Sequence, residues 1–214
     1  MSRQEGEWVS ISDLMSGVVA VIVLLFVIAT VQKTIEQLKA KEESRARLQA
    51  KRSAIRELMA KLAEDSKKEG VKDLVLVDQE KNMILLREAT FEIGDACLRN
   101  ERPILWIRPT AREFLAKFPH GMIQVEGHTD STPVGGLRRS KCGAFEDNFS
   151  LSSLRAFQAR KVLVEGWAQE AARRVAVAGH ASDRLLLPTQ PADPANRRVE
   201  IRFLENAIDE EASP

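Results

Sequence analysis

Between Asp13 and Gln32 the chain runs for eighteen residues without a charge, LMSGVVAVIVLLFVIATV, from Leu14 to Val31. As a helix this run is about 27 Å long, the lower edge of what spans a bilayer. A buried helix of a soluble protein is rarely so long without a charge, so a transmembrane helix over residues 13–31 is the first expectation. Extending the span back to Trp8 gives 24 residues and puts a boundary-favouring aromatic at the headgroups. Asp13 then lies inside the membrane. A cleaved signal peptide is a competing reading, because Val27 and Ala29 fit a −3/−1 cleavage pattern. The acidic stretch before the run and the length of the run both argue against it. Two readings of Asp13 stand. It is an interfacial acid or helix cap facing water, or it sits about one turn inside the bilayer, faces a partner helix and carries an ion.

Composition matters here for its unevenness. The 214 residues are 44% hydrophobic and 29% charged, with a formal net charge of +1. Those averages exclude a collagen, a disulfide-dense toxin and a wholly disordered chain, and give no reason to expect nucleic-acid binding. By segment the charge is −2 over 1–31, +4 over 32–69, +3 over 70–204 and −4 over 205–214. Residues 1–12 read as a short N-terminal stretch before the span and 205–214 as an acidic disordered tail. Residues 32–69 have no Pro or Gly and read as one charged helical connector. Leu48, Ile55 and Leu62 recur every seven residues, with Leu58 at a d-type position, while Ile35 and Leu38 are out of phase. A short coiled coil and a solvated spacer helix both fit. The basic excess also suits anionic headgroups.

Residues 70–204 alternate strand-like and helix-like stretches, an α+β pattern in a segment large enough for its own core. Leu74–Asp78, Met83–Glu88, Met122–Gly127, Arg174–Gly179 and Arg197–Phe203 read as strands. Glu101–Phe118 and Ser150–Val164 read as helices, with Pro109 kinking or breaking the first. Ser131–Asp147, with Pro133 and three glycines, reads as irregular. His120, His128 and His180 lack metal-ligand spacing, and no HExxH, GxSxG, P-loop or GxGxxG is present, so neither an enzyme nor a metal site is expected. Cys97 and Cys142 form a disulfide if the domain is extracytoplasmic, tying 131–147 to the rest; otherwise they are two free thiols.

Four motifs follow one another in the domain. Gly127-His128-Thr129-Asp130 ends one strand, Asn148-Phe149-Ser150-Leu151-Ser152-Ser153-Leu154-Arg155-Ala156 opens a helix, Gly179 closes another strand, and Asn196-Arg197-Arg198-Val199-Glu200 starts the last. Over roughly residues 85–204 this order resembles the OmpA-like peptidoglycan-binding domain. The resemblance implies that Asp130, Asn148, Leu151 and Arg155 bind the diaminopimelate group of the stem peptide, with Arg197 orienting the site. In charge terms, Asp130 takes an ammonium and Arg155 pairs with a carboxylate. A mutual Asp130–Arg155 salt bridge joining strand to helix is the structural alternative. The loop between Asp130 and Asn148 is seventeen residues, longer than usual for the family, and Asp147 stands where the family often has an aromatic.

The layout of one span with Asp near its start, a helical arm and an OmpA-like domain resembles MotB-type stator subunits. Trp8 to Ser16 is similar to that family's W-x-x-x-x-D-L-M-T/S stretch, and GHTDSTPV, Gly127–Val134, also looks MotB-like. The shorter chain resembles more closely the ZorB components of Zorya anti-phage systems. The resemblance implies an ion-driven inner-membrane rotary motor with Asp13 carrying H⁺ or Na⁺ and no bound cofactor. It implies a homodimer inside a pentameric ring of multi-span ZorA- or MotA-like subunits, anchored to peptidoglycan, with no nucleic-acid partner. A flagellar stator subunit and a passive membrane-tethered wall anchor are the alternatives. Positive charge after the span argues for a cytoplasmic C-terminal domain, whereas the resemblance implies a periplasmic one, facing the wall.

Overall fold

The computed structural model describes residues 4–68 and 70–205, with side chains from Met15 onward except Lys68. The side chains of Trp8 and Asp13 and the acidic tail after Glu205 lie outside the described residues. The chain forms two compact units, residues 1–51 and 52–214. Helix α1, Gln4–Lys68, contributes to both.

In the first unit α1 carries the only stretch among the described residues that is long and apolar enough to cross a membrane. Its apolar side chains are exposed all round, Phe26 at 69% and Leu24 at 59%. Thr30 Oγ1 donates to the Val27 carbonyl at 2.8 Å and Thr34 Oγ1 to the Thr30 carbonyl at 2.8 Å. Both hydroxyls are thus satisfied within the helix and need no water, as an apolar solvent requires.

In the second unit the last turns of α1 bury Ile55, Leu58, Met59 and Leu62, an i, i+3, i+4, i+7 stripe. The heptad-spaced Ile55 and Leu62 therefore serve the domain's own core. A five-stranded sheet has the order β1-β2-β7-β3-β6. Its strands are β1 (Val75–Asp78), β2 (Met83–Arg87), β3 (Met122–His128), β6 (Val175–Gly179) and β7 (Arg198–Leu204). Only β3 and β6 pair in parallel. Helices α2 (Arg102–Lys117), α3 (Asn148–Leu163) and α4 (Gln169–Arg173) complete the unit. Pro109 lies inside α2, which continues through it. The stretch expected to be irregular contains a hairpin, β4 (Arg138–Ser140) and β5 (Gly143–Phe145), turned at Gly143 with φ 138°. Its strands are too short to give a readable alternation.

Period-two alternation divides the sheet chemically. Ile84, Leu86, Ile123, Val125, Val199, Ile201 and Phe203 are buried in the main core. Gly127 and Gly179 let α3 approach closely: a Cβ on Gly127 would stand 1.9 Å from the Ser152 carbonyl oxygen, and one on Gly179 2.0 Å from Ser153 Oγ. The opposite parity carries Glu126, His128, Arg198, Glu200 and Arg202. Glu126 sits directly across from Glu200, and His128 from Arg198.

Two like charges face to face are unfavourable unless countercharges bridge them. Arg202 does so, with Nε 3.1 Å from Glu126 Oε2 and Nη2 2.7 Å from Glu200 Oε2. Arg198 Nη2 lies 2.7 Å from Glu200 Oε1. Burial alone would push the Glu200 carboxyl up, but the Arg198 charge, with hydrogen bonds from Arg202 and Arg198, holds it below its ordinary value. Glu126, His128 and Glu200 bring three potential ligand atoms within 4.8 Å of one another, a grouping invisible in the sequence spacing. The arginines already compensate both carboxylates.

His128 is 1% exposed, and neither ring nitrogen has a hydrogen-bond partner. Burial first, then Arg198, lowers its pKa to about 3 from 6.5. The folded state therefore holds His128 neutral while the unfolded chain protonates it near 6.5. The neutral ring favours the fold above pH 6.5, and this contribution is lost progressively as pH falls from 6.5 toward 3. Urea unfolding at a series of pH values should show this slope, and His128→Gln should flatten it.

Candidate functional site

The expected site residues Asp130, Asn148, Leu151, Arg155 and Arg197 all line one cleft of about 320 Å³. Three chain features converge there: the end of β3, the first turns of α3, and the segment entering β7. Asp147 caps α3 by accepting from the Ser150 backbone at 2.6 Å, and the Ser150 hydroxyl completes a capping box. These bonds to the Ser150 backbone and hydroxyl hold the Asp147 carboxyl below its ordinary value. Asp147 is thus the cap, and Asn148, the first helical residue, is free to act elsewhere. Its Nδ2 donates to the carbonyls of Thr132 at 3.0 Å and Asp130 at 3.3 Å, fastening the strand end to the helix.

Asp130 does not pair with Arg155. Its Oδ2 pairs with Arg197 Nη1, and its Oδ1 accepts from the Thr132 backbone at 3.0 Å. Arg197 is also clamped on Glu88, Nε to Oε1 at 2.5 Å and Nη2 to Oε2 at 2.7 Å. The bonds to Glu88 and then Asp130 raise the Arg197 pKa against the cost of burial. Arg197 therefore holds Asp130 in place from below. Glu88, immediately after β2, was not anticipated, and no local motif marks it.

Arg155 is 1% exposed, yet it lines the cleft. Its Nε donates to the Asp95 carbonyl at 2.8 Å, and its guanidinium carbon lies 5.6 Å from the Phe91 ring centroid. Burial pulls its pKa down, opposed chiefly by Glu88. Its Nη2 is buried without any hydrogen-bond partner. A buried guanidinium N–H with nothing to donate to is costly unless an acceptor arrives. In the cleft, that acceptor would be a ligand anion.

Leu151 is only 6% exposed and packs with Ala96 and Phe145 in a small cluster of its own. This cluster joins the 91–98 segment, the hairpin and α3 beneath the cleft. A Cys97–Cys142 disulfide with Cα atoms 5.3 Å apart links the same segments. Closing a loop of 45 residues restricts the unfolded chain by about 4 kcal/mol in the chain-entropy picture.

The last motif is also resolved into separate tasks. Asn196, fully buried, accepts from the Leu187 backbone at 2.9 Å and donates to the Gln190 carbonyl at 2.9 Å. It braces the loop whose Pro191 carbonyl receives the Ser131 backbone N–H at 2.9 Å. Arg197 steadies Asp130, Val199 enters the core, and Arg198 with Glu200 belongs to the ionic layer on the other face.

No family model matches the chain, and no curated protein does. Solved structures do. The chain is similar to a MotB-like protein from Desulfovibrio vulgaris, with 21% identity and a TM-score of 0.55, covering 74% of this chain and 98% of that one. It is also similar to the cell wall anchor of the T6SS from Pseudomonas aeruginosa, with 25% identity and a TM-score of 0.51, covering 68% of this chain and 95% of that one. After its long N-terminal apolar helix, the chain carries an α/β domain of MotB-like fold.

Proposed function

We propose that the protein is a membrane-tethered, peptidoglycan-anchored stator-type subunit whose cleft holds the zwitterionic end of a wall stem peptide. The observation that carries this is the pair of opposite charges in one cleft, Asp130 held by Arg197 and Arg155 with a buried, unpartnered Nη2. An ammonium beside Asp130 and a carboxylate on Arg155 would complete both. Likeness to a cell wall anchor supports the same reading. The apolar part of α1 then crosses the inner membrane once, with the domain on the periplasmic side.

In the fuller form of the proposal, two copies of the chain sit within a ring of five multi-span subunits, in a Zorya-type defence motor. Asp13 passes H⁺ or Na⁺, and the anchored pair resists the torque. A flagellar stator has the same parts, and the genes beside this one discriminate between them. A passive anchor without ion work is the second reading, favoured by the T6SS wall anchor likeness. Co-purification with a multi-span membrane protein separates the two. In the motor reading, Asp13→Asn retains that partner and wall binding but abolishes activity in cells. Full activity in the variant contradicts ion transfer through Asp13.

A further inference from the structure

Resting on the wall-anchor reading, we infer that Arg138 forms a second carboxylate-recognising position, so that the cleft prefers a stem peptide ending in a free carboxylate beside its amine–carboxylate pair. Arg138 lines the same cleft as Asp130 and Arg155. It is exposed, and its guanidinium makes no hydrogen bond or ion pair among the described residues. It reaches across to the opposite rim, where a methyl added to Gly94 would lie 3.6 Å from its Nη1.

The backbone that carries it is not a loose loop. Arg138 opens β4, and the hairpin is fixed at its turn by the disulfide to Cys97 and by Gln158 Nε2 donating to the Cys142 carbonyl at 3.0 Å. At its far end Phe145 is buried against Ala96 and Leu151. A cation on an anchored scaffold loses less freedom when it binds than one on a mobile loop.

Charge balance points to the ligand class. The cleft holds Arg138, Arg155 and Arg197 against Glu88 and Asp130, a surplus of one positive charge. Arg197 is already satisfied by both acids, which leaves Arg155 and Arg138 to receive anions. A ligand with one ammonium and two carboxylates has the complementary charge of −1. Diaminopimelate at the end of a stem tripeptide is such a group: its side chain carries an amine–carboxylate pair, and its own backbone carboxylate is free.

The test is calorimetric titration of the full chain in detergent with an Ala-γ-Glu-diaminopimelate tripeptide and with its C-terminal carboxamide. The wild type should bind the free acid about 10-fold more tightly, the size of one charge-assisted hydrogen bond. Arg138→Ala should bring the two affinities together by weakening binding of the free acid about 10-fold more than that of the carboxamide. Equal wild-type affinity for the two peptides, or equal weakening of both by Arg138→Ala, overturns the role of Arg138 and leaves the wall-anchor reading intact. If the wild type binds neither peptide, both fail together.

Discussion

Arg155→Ala should reduce binding of the full chain to isolated peptidoglycan about 10- to 100-fold, the range expected for losing charge-assisted hydrogen bonds of about 1.5–3 kcal/mol. Arg155 is the largest fully buried side chain of the domain, and its Nη2 has no acceptor. Because Arg155 also lines the cleft, this unpartnered donor is available to a ligand carboxylate. The residue does brace the fold in part, because Nε holds the Asp95 carbonyl and the guanidinium lies against Phe91. Removing it therefore also lowers stability. Arg155→Lys separates the two effects. It keeps a positive charge but not the planar fork, so wall binding should still weaken while the melting temperature moves less than in the alanine variant. If both variants melt lower but sediment with peptidoglycan as well as the wild type, Arg155 is structural.

Gly127→Ala should lower stability by about 3 kcal/mol, the upper end for forcing atoms into a filled site. The added methyl would meet the Ser152 carbonyl oxygen at 1.9 Å. A backbone oxygen in the second turn of α3 cannot turn aside as a side chain can, so helix and sheet must separate. The same helix begins with the cap and Asn148, so the cleft opens as the helix lifts. A loss of this size corresponds to a fall of roughly 10 °C in melting temperature for a domain of this length. Gly135→Ala is the control, since a methyl there meets nothing within 4 Å. Equal melting temperatures for Gly127→Ala and the wild type would mean that α3 does not lie so close to β3.

The glycines show what the sequence could reveal. Gly127 and Gly179 are readable as strand ends, and their common cause is the approach of α3. All five main strands are legible as short β-rich runs bounded by turn residues. The hairpin is not, because three-residue strands and a glycine-rich surround leave no period to read.

The site was legible in its membership but not in its pairing. Asp130 and Arg155 stand out by motif, and the salt bridge that would join them is a natural guess. The partner of Asp130 is instead Arg197, which lies 67 residues away, just before β7. Glu88, on the other side of that arginine, is reached through a separation of 109 residues. No local pattern encodes such a contact; the order β2-β7-β3 creates it. Asp147 is the converse case. Against the OmpA-like pattern it reads as a departure, but in physical terms it is a good helix cap.

The central claim is that the cleft reads a zwitterion in the cell wall. It is tested most directly by co-sedimentation of the wild-type chain with two kinds of purified sacculi, one with diaminopimelate at the third stem position and one with lysine there. Lysine keeps the amine but lacks the side-chain carboxylate that Arg155 would receive. The account requires that the chain sediment with diaminopimelate-type sacculi, be released by free meso-diaminopimelate, and remain in the supernatant with lysine-type sacculi. Equal sedimentation with both, or with neither, would contradict it.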